Sequence, residues 1–151
     1  MRHATIRRSG ILLATALAVH PAHLAYFNPL SGGPANGQRW LLDSNLDWGQ
    51  DLYRLPAALA ERGVREPVKL LYFGHVDPRL YGIDSVLLPP GPAAGVIAVS
   101  VTYLMGFSYP VTAPDGGFVP VGVDHVAWLR GREPDVRLGS LWLYDLRGAA
   151  R

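Results

Sequence analysis

The chain contains no cysteine, which excludes disulfides, thiolate nucleophiles and every metal site built on cysteine sulfur. It also has no stretch long enough to cross a bilayer on its own. The longest apolar run, residues 11–19 (ILLATALAV), falls well short of the roughly 20 residues a spanning helix needs. Three catalytic or phosphate-binding patterns are missing as well: there is no GxSxG elbow, no HExxH, and no glycine-rich loop ending in GK[ST]. A basic surface is lacking too. The formal charge of +2 owes three positive groups to Arg2, Arg7 and Arg8, so residues 11–151 carry 11 of the 14 basic groups against 12 acidic ones. That balance offers no clustered cationic face for nucleic acid.

What is present is a chain able to fold. At 151 residues, 49% apolar and 17% charged, it has enough apolar surface to offset the entropy of ordering one domain, and too little length for two. The first 27 residues stand apart as a basic flank followed by the short apolar run. They read as part of a membrane helix, as an export signal, or as a first helix of the folded domain; either of the first two places the remainder outside the cytoplasm. His20, Pro21 and His23 interrupt the apolar character. Residues 28–39 (NPLSGGPANGQR) are turn-forming and lead into a domain over 28–151.

Within that domain the spacing predicts a first strand at 40–43, a helix from about residue 44, a second strand at 68–73, a brief strand at 85–88, a β-branched central strand at 95–105, and a closing strand at 139–146. The expected fold is a small α/β domain of two or three layers. Its sheet is mostly parallel, with about four strands, and a short hydrophobic N-terminal helix precedes it. Residues 106–122 read as a loop. Trp48, Leu52, Leu55 and Leu59 recur at helical spacing and define an expected buried stripe, leaving Asp51, Arg54, Glu61 and Arg62 for solvent. Pro56 should kink or split this helix, and Gly63 should end it.

The polar stretch DSNLDWGQD (43–51) is the leading candidate site, because groups at the C-terminal ends of parallel strands converge on a ligand crevice. Ser44 with Asp47 forms a possible capping box, with Asn45 as the alternative cap. Trp48 suits the core or a stacking surface. Gln50 lies beyond any capping duty. Asp43, Gln50 and Asp51 are then the residues least explained by helix initiation. Asp43, Asp47 and Asp51 lack the rhythm of a calcium loop, so no metal or other cofactor is expected. His75 and Asp77 follow the second strand on the same expected edge, where an imidazole and a carboxylate suit acid–base work, and Asp77 with Pro78 suits the start of a short helical turn. Asp43 and Asp77 are the conceivable pair for glycoside hydrolysis. Tyr72, Tyr81, Tyr103, Tyr109, Trp128 and Trp142 supply enough aromatic surface for a carbohydrate contact, though their spacing selects no common face.

The segment HLAYFNPLSGGPANGQRWLLDSNLDWGQDL (23–52) resembles the stretch that follows the last membrane helix in bacterial multi-spanning glycosyltransferases, relatives of the dolichyl-phosphate-mannose protein mannosyltransferases. Further pieces match in order: YFG, DP and YG within 72–82, AVSVTYLMG at 98–106, WLR at 128–130 and the closing strand at 138–146. The resemblance spans about residues 20–147. It implies a C-terminal domain on the outer face of the bacterial inner membrane, partnered by the multi-spanning portion of a transferase that uses a polyprenyl-phosphate-linked sugar. Nothing in this chain corresponds to the catalytic loop of such enzymes, so the implied role is that of a non-catalytic accessory domain, here a fragment with part of the last helix. A freestanding exported carbohydrate-binding module and a small glycan hydrolase are the alternatives.

Overall fold

A computed structural model describes residues 13, 14, 17, 20, 47–112 and 117–148. The expected first strand at 40–43, the 28–39 linker and the boundary at residue 27 lie outside these residues. Seven strands are described: β1 (Val68–Leu71), β2 (Ser85–Leu87), β3 (Gly95–Ser100), β4 (Val111–Thr112), β5 (Phe118–Val119), β6 (Val136–Leu138) and β7 (Leu141–Leu146). Two short helices accompany them, α1 (Leu55–Glu61) and α2 (Val101–Leu104), together with 3-10 turns at Leu52–Arg54, Pro78–Tyr81 and Ala127–Leu129.

Five strands form one sheet in the order β2-β1-β3-β7-β6. β2, β1 and β3 are mutually parallel, whereas β7 runs antiparallel to both β3 and β6. The sheet is therefore mixed, not mostly parallel. The extra strand, β6, arises because Gly139 and Ser140 make a two-residue hairpin between Leu138 and Leu141. Gly139 has φ 63°, the positive value that primed hairpin turns demand of their first central residue.

β3 holds the middle of the sheet, and its alternation feeds both layers. Val96 and Ala98 join Leu52, Leu55, Ala58, Val68 and Leu143 beneath α1, while Ile97 and Val99 join Leu71, Tyr103, Leu104, Leu129 and Tyr144 on the opposite face. Its expected burial on both sides is borne out. The strand itself stops at Ser100, where the chain turns into α2. The loop expected at 106–122 contains the small antiparallel pair β4–β5.

The helix after the polar stretch is split as Pro56 requires. A 3-10 turn comes first, and α1 begins with Pro56 in its opening turn, where a missing N–H costs nothing. Gly63 follows the α1 C-cap with φ 60°. The one helix packed against the sheet is thus internal. The expectation that the N-terminal run is part of a membrane helix is corrected: among the described residues no helix is long and apolar enough to cross a membrane. The notion of an N-terminal helix leading the domain gains nothing either, since Leu13 and Leu17 are exposed and most of that segment lies outside the described residues.

Leu55, at the start of α1, is wholly buried against the sheet, whereas Leu80 is 79% exposed. We expect Leu55→Ala to lose about 2–5 kcal/mol of stability and Leu80→Ala to change it by about 0.5 kcal/mol or less, measured by urea denaturation. Equal losses at the two positions would contradict this core.

Candidate functional site

The described part of the polar stretch, Asp47–Asp51, is not the start of a regular helix. Gly49 adopts φ 72°, which breaks the helical phase, and the first α-helical residue is Leu55. Asp43, Ser44 and Asn45 lie outside the described residues, so the capping roles assigned to Ser44 and Asn45 do too.

Asp47 is fully buried and Asp51 nearly so. Both carboxylates converge on Ser140, in the β6–β7 turn. The Ser140 hydroxyl stands 3.0 Å from Asp47 Oδ1 and 3.1 Å from Asp51 Oδ2. A hydroxyl has a single proton, so the two acceptors share it. Each carboxylate then draws on further donors. Asp47 accepts from the Gly49 amide at 2.9 Å and the Thr102 hydroxyl at 3.1 Å. Asp51 accepts from the Ser140 amide at 2.9 Å and Gln50 Nε2 at 3.3 Å, and pairs with Arg54 Nε at 3.4 Å. Gln50 Oε1 in turn accepts from the Trp48 amide at 2.7 Å. The solvent-facing position expected for Asp51 is thus wrong, because a partner 89 residues away claims its side chain.

Glycines let these pieces meet. A Cβ on Gly139 would lie within 2.7 Å of all three atoms of the Asp51 carboxylate. One on Gly49 would sit 2.6 Å from the Phe73 carbonyl oxygen and 2.8 Å from the Tyr72 ring. The network extends into the sheet through Ser100, whose hydroxyl accepts from the Phe73 amide at 2.9 Å.

Burial pushes the Asp47 carboxyl above its ordinary value of 3.8, and the hydrogen bonds from Gly49, Ser140, Ser100 and Thr102 offset this only in part. No ion pair to Asp47 exists among the described residues.

Trp48 was expected on the buried stripe, yet it is 58% exposed. Its ring neighbours Phe73, with centroids 6.4 Å apart, and the row continues from Phe73 to Tyr109 at 5.2 Å and from Tyr109 to Phe107 at 6.0 Å, where the two rings stack. Tyr109 was among the aromatics noted in the sequence; Phe73 and Phe107 were not.

His75 and Asp77 lie elsewhere, in a groove of about 420 Å³ bounded by β1, β2, β4 and the loop after β1. They do not form an acid–base pair. His75 Nδ1 is 3.1 Å from the Thr112 hydroxyl. Asp77 caps the Pro78–Tyr81 turn, as expected, by accepting from the Arg79 amide at 2.9 Å. It is also clamped by the Arg79 guanidinium, 2.7 Å from NH2 to Oδ2, which holds its carboxyl below the usual range. Tyr72 lines the groove with its hydroxyl donating to the Val76 carbonyl, and burial pushes its phenol up to about 12. Among the described residues no cluster of three His, Asp or Glu side chains stands ready to hold a metal ion.

Thr102, Ser140, Thr112 and Arg79 were missed in the sequence. Only the Gly139–Ser140 turn had a local signal, and that signal speaks of a hairpin, not of a partner for Asp51. Comparison with protein-family models, curated proteins and solved structures finds no match to this chain.

Two substitutions test the buried network. Asp47→Ala leaves the Gly49 amide and the Thr102 and Ser140 hydroxyls without their acceptor and should cost roughly 2–4 kcal/mol; Asp47→Asn keeps an acceptor and should cost about 1 kcal/mol or less. The raised carboxyl also fixes a sign. Its stabilising contribution is complete below pH 3.8 and is lost as pH rises through the folded-state value. The stability of the native chain relative to Asp47→Asn should therefore fall with rising pH in that window, as followed by urea denaturation across a pH series. A difference that grows with pH would show that Asp47 is held charged.

Proposed function

We propose that this chain is a non-catalytic C-terminal accessory domain of a membrane glycosyltransferase, lying on the outer face of the membrane, the transferase using a polyprenyl-phosphate-linked sugar. The observation that carries the reading is the fate of the DWGQD carboxylates. Asp47 and Asp51 are buried and occupied by fixed donors, so neither is available to deliver or accept a proton at a substrate. The same loop turns Trp48 outward beside Phe73. A signature that buries its acids and presents an aromatic suits contact with a partner or glycan, where tryptophan and tyrosine supply large amphipathic area. The resemblance over residues 20–147 supplies the transferase context.

The hydrolase alternative draws no support from the groove. Asp77 is committed to Arg79 and to its cap, and His75 to Thr112. The carbohydrate-binding alternative shares the aromatic row and differs only in needing no transferase.

Deleting the chain from its host should lower sugar transfer from polyprenyl-phosphate donors in isolated membranes. Wild-type chain should restore it and a folded Trp48→Ala variant should restore it several-fold less well, since truncating an interface aromatic costs about 1–2 kcal/mol, roughly fivefold to thirtyfold in affinity. The purified chain alone should neither transfer sugar nor cleave glycosides. Transfer that is indifferent to the deletion would overturn the accessory role, and catalysis by the chain alone would overturn the non-catalytic one.

A further inference from the structure

The groove at the β1–β2 edge has a chemistry of its own. Its walls are largely aliphatic, with Leu70, Val86, Leu87 and Val111, and its polar side chains are Tyr72, whose hydroxyl donates to the Val76 carbonyl, His75, Asp77, Arg79, Ser85 and Thr112. At about 420 Å³ it falls within the roughly 300–1,000 Å³ typical of small-molecule sites.

The charges within it cancel. Among the described residues Arg79 is the one arginine or lysine in its lining, and its guanidinium is turned onto Asp77, with Nε 3.1 and 3.0 Å from the two carboxylate oxygens and Nη2 2.7 Å from Oδ2. An incoming phosphate or carboxylate would have to displace Asp77 from its own arginine and then sit against that carboxylate. Binding of an oxyanion normally rests on an uncommitted Arg or Lys, and the groove offers none.

His75 favours a different partner. With Nδ1 engaged by Thr112, Nε2 is a donor in one tautomer and an acceptor in the other. A hydroxyl satisfies both, because it donates and accepts. Ser85 adds a second hydroxyl to the lining.

We propose that this groove binds an uncharged amphipathic ligand of the alkyl or prenyl glycoside class, its apolar part against Leu70, Val86, Leu87 and Val111 and its sugar hydroxyls at His75 and Ser85, with the Asp77–Arg79 pair excluding anionic head groups. The site is distinct from the Trp48 row, and binding is read on the purified chain, so it stands or falls apart from the accessory role.

Hexyl β-glucoside and hexyl phosphate share one alkyl chain and differ in head group, and their titration by calorimetry and by amide chemical shifts separates the terms. The glucoside should bind saturably and shift the amides of His75, Ser85 and Thr112, with the phosphate at least about tenfold weaker. His75→Ala should weaken glucoside binding roughly fivefold to tenfold, the loss of one hydrogen bond. Asp77→Asn keeps an acceptor for the Arg79 amide but frees the guanidinium, and should raise hexyl phosphate affinity about tenfold or more. No saturable glucoside binding, phosphate binding as tight as the glucoside, or an Asp77→Asn variant that still rejects phosphate would each overturn the proposal.

Discussion

The hydroxyl of Ser140 lies between two buried carboxylates, and the arrangement of the domain follows from what those three groups require. A carboxylate taken out of water without a cation must be met by hydrogen bonds, or its desolvation cost goes uncompensated. Asp47 meets that demand with groups from three separated places: its own loop, α2 and the β6–β7 turn. Asp47 and Ser140 are 93 residues apart, so the bond is formed only when the layer carrying α1 and the closing hairpin are both in place. The polar network thereby fixes the relative position of elements that hydrophobic packing alone leaves free to slide.

That constraint propagates to the surface. Gly49 must be glycine because the loop lies against Tyr72 and the Phe73 carbonyl, and this close approach is what sets Trp48 beside Phe73 at the edge. The same strand end, held by the bond from Phe73 to Ser100, carries Tyr72 and Gly74 into the groove wall. The aromatic row gathers near the carboxyl ends of the parallel strands β1 and β3, the location where α/β sheets leave a crevice, and the groove runs from the end of β1 along β2. Appending β7 and β6 in antiparallel sense closes the other side of β3 without disturbing that edge.

The elements legible in the sequence were those whose signals are local. β1, β2, β3 and β7 announced themselves by composition, the break at Pro56 by its missing N–H, and the turn at Asp77 by its cap. The exchange of Trp48 and Asp51 between surface and interior was not legible. Helical spacing counted from Trp48 presumes an unbroken helix, and Gly49 at φ 72° resets the phase before Leu52. Nor does any local pattern say that Asp51 will find Ser140. β6 is three residues after a proline turn and becomes a strand only through its register with β7. The sheet is mixed because β7 pairs antiparallel with β3 itself, a long-range choice of direction that no local pattern announces.

Function divides along the same line between committed and uncommitted groups. In the DWGQD loop the acids are engaged by fixed donors within the fold, while Trp48 faces outward. In the groove the acid is spent on Arg79, which removes both charges from recognition and leaves hydroxyl and imidazole groups against aliphatic walls. A carboxylate held by a guanidinium is a poor proton donor, because the pair holds its carboxyl low, and a guanidinium held by a carboxylate is a poor anion receptor. On the reading proposed above, both surfaces would serve binding, because in each the ionisable groups already have partners within the fold.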